Sequence, residues 1–193
     1  MFDTLPKLLF NDKKLVKARD FRNVITGLKY SKPCSVQFWS HKFDIDLDQT
    51  VWTVAKHVTS ESRLRELHWK LLHNIYPTNT LLKKIGLAAE DKCPYCTDEL
   101  DYIEHFFFYC RKVNRLWNYV ETLILVRYGT RILLKATDVL TGVRNEDGNT
   151  RNLYRFLNHL ILIGKMTVSK FRYGTPLDII IMFEKELVLR NLL

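Results

Sequence analysis

The sequence predicts a mainly α protein, a helical bundle built around a CCHC zinc knuckle, and three observations predict it. Cys93, Cys96, His105 and Cys110 follow the pattern C-x2-C-x8-H-x4-C. Apolar residues on both sides of that cluster recur every three or four positions, the period of a helix with one buried face. Hydrophobic residues make up 47% and charged residues 26% of a 193-residue chain, a balance that sustains a packed core.

From the N-terminus, residues 1–34 hold eight Lys/Arg against three Asp, a local charge of +5. Residues 1–58 are read as a basic segment packing on the core. Within it, Val36/Phe38 and Phe43/Ile45/Leu47 alternate as a strand does, so a short β-hairpin near residues 35–47 fits the pattern. Asp44, Asp46 and Asp48 imitate the start of a calcium loop. Gln49 stands where the loop needs glycine and Ala55 where it needs glutamate, so they read instead as the outer face of an extended segment.

Residues 59–130 are expected to form the helical zinc-binding domain. Thr59 or Ser60 can N-cap a helix with Glu61 in its first turn, and Leu64, Leu67, Leu71, Leu72 and Ile75 lie on one face before Pro77 ends it. Asn79 can cap a short successor carrying Leu81, Leu82 and Ile85, stopped by Gly86. After the knuckle, Phe106, Cys110, Val113, Trp117, Val120 and Ile124 step by four or three. That stripe predicts one long helix, or two stacked ones, ending near Gly129. Residues 131–193 are expected to form a C-terminal helical hairpin after a polar loop at 141–150. Leu153, Leu157, Leu160 and Ile161 share one face, Tyr173-Gly174-Thr175-Pro176 turns the chain, and Ile180, Phe183 and Leu187 line the last helix.

The knuckle carries the chemistry. Three thiolates and an imidazole make a closed tetrahedral shell for Zn2+, which leaves no position for water or substrate. The site therefore predicts a structural metal and not a zinc hydrolase. In Cys93-Pro94-Tyr95-Cys96 a proline lies between the thiolates, and Asp98, Glu99 and Asp101 follow in the loop. Removing the metal is expected to unfold at least residues 88–117. No phosphate-binding glycine loop, nucleophile elbow or HExxH motif occurs in the sequence, so no catalytic residues are assigned.

The net charge of +9 favours a polyanion as partner. Two faces are candidates for contact with it. Arg63, Arg65, Lys70 and His73 surround Trp69, which could stack on a base or pack against a neighbouring helix. Arg111, Lys112 and Arg115 lie opposite the apolar stripe of the helix after the knuckle, where they could meet phosphates or simply be solvated. His68 falls on the apolar arc and reads as a core residue. The lone Cys34 and the metal cluster fit a reducing, intracellular setting. No apolar run approaches membrane-spanning length, and no membrane partner is expected.

The run from Arg63 to Asn79 (Arg63-Leu64-Arg65-Glu66-Leu67-His68-Trp69-Lys70-Leu71-Leu72-His73-Asn74-Ile75-Tyr76-Pro77-Thr78-Asn79) is followed by Cys93-Pro94-Tyr95-Cys96, Ile103-Glu104-His105-Phe106-Phe107-Phe108-Tyr109-Cys110 and Trp117. Together they closely resemble the reverse-transcriptase zinc-binding domain found toward the C-terminus of LINE-type (non-LTR) retrotransposon proteins. The resemblance covers roughly residues 52–120, with a less specific likeness around Leu157-Asn158-His159-Leu160-Ile161-Leu162. It implies Cys93, Cys96, His105 and Cys110 as zinc ligands. It also implies a nucleic-acid-binding accessory to target-primed reverse transcription, holding RNA and/or DNA beside a polymerase. The chain has no polymerase aspartate pair and no palm, so it is expected to be non-catalytic, a detached piece or a small reading frame beginning at Met1. The alternative is a protein–protein docking scaffold with no nucleic-acid contact. The oligomeric state is left open.

Overall fold

Eight α-helices and one π-helical turn make up the regular structure among the described residues, and no strand is present there. The structure is a computed structural model and describes residues 34–47, 50–144, 150–172 and 178–192. The basic N-terminal stretch with Lys13, Lys14, Lys17 and Arg19 lies outside the described residues. So do Asp48, Gln49, the polar residues 145–149 and the turn Tyr173-Gly174-Thr175-Pro176.

The first helix, α1 (Cys34–Phe43), replaces the hairpin expected near residues 35–47. Val36, Trp39 and Phe43 step by three and four along one face, with Val36 and Trp39 buried, while Phe38 is exposed. The alternation that suggested a strand came from pairing Val36 with Phe38, residues that point to opposite sides of a helix. The buried Trp39 donates from Nε1 to Leu72 O at 3.0 Å, which locks α1 against the following layer. Asp44, at φ 51°, ends the helix in a left-handed turn.

Helix α2 (Thr50–Val58) buries Val51 and Ala55. In α3 (Ser62–Leu72) the apolar face Leu64, Leu67, Leu71, Leu72 is buried as the periodicity predicts. Its start is displaced from the expected cap. Glu61 occupies the cap position without a side-chain cap bond, and its carboxylate is drawn off to Arg190 in a two-pronged pair, 2.8 Å at each oxygen. The helix stops at Leu72, well before Pro77, because Asn74 turns left-handed at φ 54°; Ile75 consequently points outward. Thr78, not Asn79, caps α4 (Asn79–Lys84) by accepting from Leu81 N at 3.3 Å.

The long apolar stripe is divided. A π-helical turn spans His105–Tyr109, Cys110 adopts an extended conformation at φ −60°, ψ 123°, and α5 (Arg111–Tyr128) follows. Phe106, Cys110, Val113, Trp117, Val120 and Ile124 are all buried, and α5 ends at Gly129 in a left-handed conformation, φ 66°. After the short α6 (Ala136–Thr141), the 21-residue α7 (Arg151–Phe171) packs against α2, α3, α5 and the last helix, α8 (Ile179–Val188). Gly164 permits its closest approach: a Cβ there would lie 2.8 Å from the Trp117 ring. Cys34–Leu193 forms one compact unit, and no helix of the described residues is long and apolar enough to cross a membrane.

The centre of that unit holds a charge-capable group that hydrophobic periodicity does not reveal. Lys165 is 1% exposed, and its Nζ lies 3.0 Å from His68 Nδ1 and 3.1 Å from Leu140 O. His68 Nε2 lies 3.3 Å from Val51 O, an atom that can only accept. The ring proton is therefore on Nε2, leaving Nδ1 to accept from the lysine. Burial lowers the Lys165 pKa to about 7 and, together with the neighbouring amine, holds that of His68 well below its ordinary value.

Candidate metal centre and basic surfaces

Two local structures bring the four ligand candidates together. Cys93 and Cys96 lie on a tight loop closed by an isolated antiparallel bridge between Lys92 and Leu100, with Cys93 N donating to Glu99 O at 2.8 Å. Thr97 N donates to Cys93 O at 2.9 Å, and Thr97 sits at φ 61°, the sharp bend that turns both sulfurs inward. His105 opens the π-helical turn, and the wider turn ends on Cys110, whose N–H donates to His105 O at 2.7 Å. A π turn at a ligand pair is a known way to re-aim side chains at a site.

The donor atoms lie within 4.8 Å of one another, with Cys93 Sγ to Cys110 Sγ at 4.0 Å and Cys96 Sγ to His105 Nε2 at 3.3 Å. Zn–S and Zn–N bonds of about 2.3 and 2.0 Å at tetrahedral angles require edges of roughly 3.8 Å between sulfurs and 3.5 Å from sulfur to nitrogen. The set fits Zn2+. Its electrostatics point the same way. Cys93 is pushed up by its hydrogen bond to Cys110 and by burial, while Cys110 is drawn down by accepting that bond. Three thiols this close and this buried can all ionise only around a cation. Zinc bound by Cys93, Cys96, His105 and Cys110 would hold the loop and the π turn together as a filled-shell structural ion.

The shell behind the ligands anchors the knuckle to the rest of the fold. Tyr95, between the two cysteines, stacks on Phe106 at 5.0 Å and 5° and donates its hydroxyl to Val168 O on α7 at 2.6 Å. Trp117 Nε1 donates to Phe107 O at 2.7 Å. Asp101, expected as a loop acid, is fully buried and forms an ion pair with Arg172, which lies 4.7 Å over the Phe106 ring. Arg172 also donates to Asn79 Oδ1 at 2.8 Å. Neither Asp101 nor Arg172 could be found from spacing, because the partners lie 71 residues apart. Arg172→Ala would leave a carboxylate buried without its cation, so it is expected to lower stability by about 3–5 kcal/mol. Urea unfolding of the zinc-loaded protein measures this, and an unchanged midpoint would remove the pair from the framework.

The residues suggested for nucleic-acid contact have mixed surroundings. Trp69 is 50% exposed with its ring 4.3 Å from His73, so half of the indole faces solvent. His73 lies between Trp69 and Trp52, and its partial burial lowers its pKa, which makes it a neutral group at pH 7. Arg63 is exposed; Arg65 donates from Nε to Thr59 O at 2.8 Å; Lys70 pairs with Glu66 at 2.7 Å. On the helix after the knuckle, Arg111 pairs with Asp98 at 3.0 Å and Arg115 with Asp178 at 2.8 Å, while Lys112 is exposed. Intramolecular acids thus offset most of the positive charge near the zinc site.

Residues 31–117 match the family described as zinc-binding in reverse transcriptase, a span that includes all four ligand candidates. No curated protein matches the chain.

Proposed function

We propose, from the match of residues 31–117 to the family described as zinc-binding in reverse transcriptase, that the protein is a zinc-stabilised nucleic-acid-binding module accessory to LINE-type target-primed reverse transcription. The observation that carries this reading is the pairing of that domain with a net charge of +9. A reverse transcriptase handles an RNA template and a DNA product, and a basic module beside it is suited to gripping their phosphates. In this reading the metal supports the surface and takes no part in chemistry, so the module is non-catalytic. Base stacking on the open half of Trp69 adds affinity without strong sequence preference. Action in the nucleus or cytoplasm, beside a polymerase, follows from the same reading.

Fluorescence anisotropy of the zinc-loaded protein with a structured RNA, a single strand and a duplex, each at two salt concentrations, tests it. The expected result is a Kd of about 1 μM or tighter at low salt that weakens steeply as salt rises. The exposed Ile85 and Leu87, beyond α4, favour a second reading as a protein-docking scaffold. Folded, zinc-loaded protein that binds no nucleic acid at low salt would favour that scaffold.

A further inference from the structure

Among the described residues, a group of cations without carboxylate partners lies away from the zinc knuckle. Two adjoining hollows, of about 490 and 590 Å³, lie along the seam where α2 packs on α7, and they share His57, Val58 and Arg155 in their walls. Lys56 from α2, Arg65 from α3, and Arg151 and Arg155 from α7 line this continuous groove. Among the described residues, none of these four cations has a carboxylate within ion-pair distance. Among the described residues of the walls, the one acid, Glu61, is already committed to Arg190.

The arrangement along α7 is regular. Arg151, Arg155 and His159 recur at every fourth position, so they form one row about 12 Å long on the helix face. That length faces about three successive phosphates of a strand. At the inner end, His159 Nε2 is buried without a hydrogen-bond partner and borders the same groove. Tyr154 adds a half-buried ring to the opposite end, beside Arg151.

We propose that the α2–α7 groove is the principal phosphate-binding surface of the protein and takes the phosphodiester backbone of a nucleic-acid strand. The proposal rests on the nucleic-acid reading above and relocates its main contact away from the knuckle. Only Arg65 belongs to both the groove and the faces suggested by the sequence. Near the knuckle, Arg111 and Arg115 must first exchange a carboxylate for a phosphate, whereas the four groove cations gain a new partner outright.

The test compares two charge-reversal pairs in the full-length, zinc-loaded chain: Arg151→Glu with Arg155→Glu, and Arg111→Glu with Lys112→Glu. All four side chains are exposed, and thermal melts check that each protein is folded. Should the groove pair fail to fold, Lys56→Gln with Arg155→Gln replaces it. The probe is one fluorescein-labelled 20-nucleotide sequence, made as RNA and as DNA. The groove pair is expected to weaken binding tenfold or more. Its log–log salt slope should fall by about 1.4, near 0.7 for each lost single-strand phosphate contact. The knuckle pair should stay within about threefold of the unsubstituted protein. Equal losses in both pairs, or a loss confined to the knuckle pair, overturn the groove while leaving the nucleic-acid reading intact. Failure of the unsubstituted protein to bind either strand overturns both.

Discussion

Stripping zinc with a strong chelator is expected to unfold the protein rather than merely open its knuckle. Cys93 and Cys110 are fully buried in the same core as Phe106, Phe107 and Trp117. Without the cation, that core would hold three thiols packed around an imidazole, with nothing to stabilise the thiolates. A structural zinc contributes about 10–16 kcal/mol in small domains, as much as the whole net stability of a typical fold, roughly 5–15 kcal/mol. The metal-free chain should therefore lose cooperative unfolding. Amide protection should vanish first across residues 88–117 and then in α7, since Tyr95 ties the knuckle to Val168 of that helix and Asp101 ties it to Arg172 just beyond. Circular dichroism melts with and without chelator, together with Cys110→Ser in excess zinc, measure this. A chelated protein with unchanged helix signal and midpoint would show that packing alone holds the loop.

Stability should also climb as pH rises from 7 toward 10. Lys165 has a folded pKa of about 7, against an unfolded value near ~10.4, so across this window the unfolded chain holds a proton that the folded chain has released. Stability increases with pH wherever the unfolded state binds more protons. The deficit is complete below pH 7 and relieved at about pH 10, a difference on the order of 5 kcal/mol. His68 extends the trend on the acid side. Its folded pKa is depressed, so stability falls further as pH drops below the ring's unfolded value, near ~6.5. Lys165→Met removes the amine but leaves His68 Nδ1 and Leu140 O without their donor, and the two effects partly offset at pH 7. The informative quantity is the slope. Urea midpoints at pH 7 and 9.5 should rise less in the variant than in the unsubstituted protein, and the comparison cancels the titration of the unfolded thiols. Parallel slopes would mean that the buried amine stays charged throughout.

Sequence periodicity located the helices and most of their buried faces, because each is a local pattern with one dominant partner, the core. The stripe from Phe106 to Ile124 and the glycine stop at 129 are such cases. The ligand set was legible for a similar reason: knuckle spacing is short and its residue types are few. Failures came where tertiary demands overrode local preference. At α1, a strand-like alternation lost to the burial of Trp39 and its bond to Leu72 O. At α3, the cap falls on Glu61 and not on Thr59 or Ser60, and the Glu61 carboxylate is claimed by Arg190, 129 residues away. Lys165, Asp101 and Arg172 resemble ordinary solvated charges in the sequence, and only three-dimensional closure shows them buried. The spacing of Arg151, Arg155 and His159 was a readable signal, but the helix face opposite them had to be seen before their row became a groove.

The position of α7 bears on the order in which a nascent chain can fold. The last zinc ligand is Cys110, but the helix that carries Val168, and the Arg172 that follows it, come roughly sixty residues later. At about 5–20 residues per second, translation takes some 3–12 s to deliver them. During that interval the knuckle can capture zinc while Tyr95 and Asp101 still lack their long-range partners and the side of Trp117 facing Gly164 is uncovered. Metal capture can thus precede consolidation, with the ion already holding a half-made core when the C-terminal helices arrive and remaining part of the finished one.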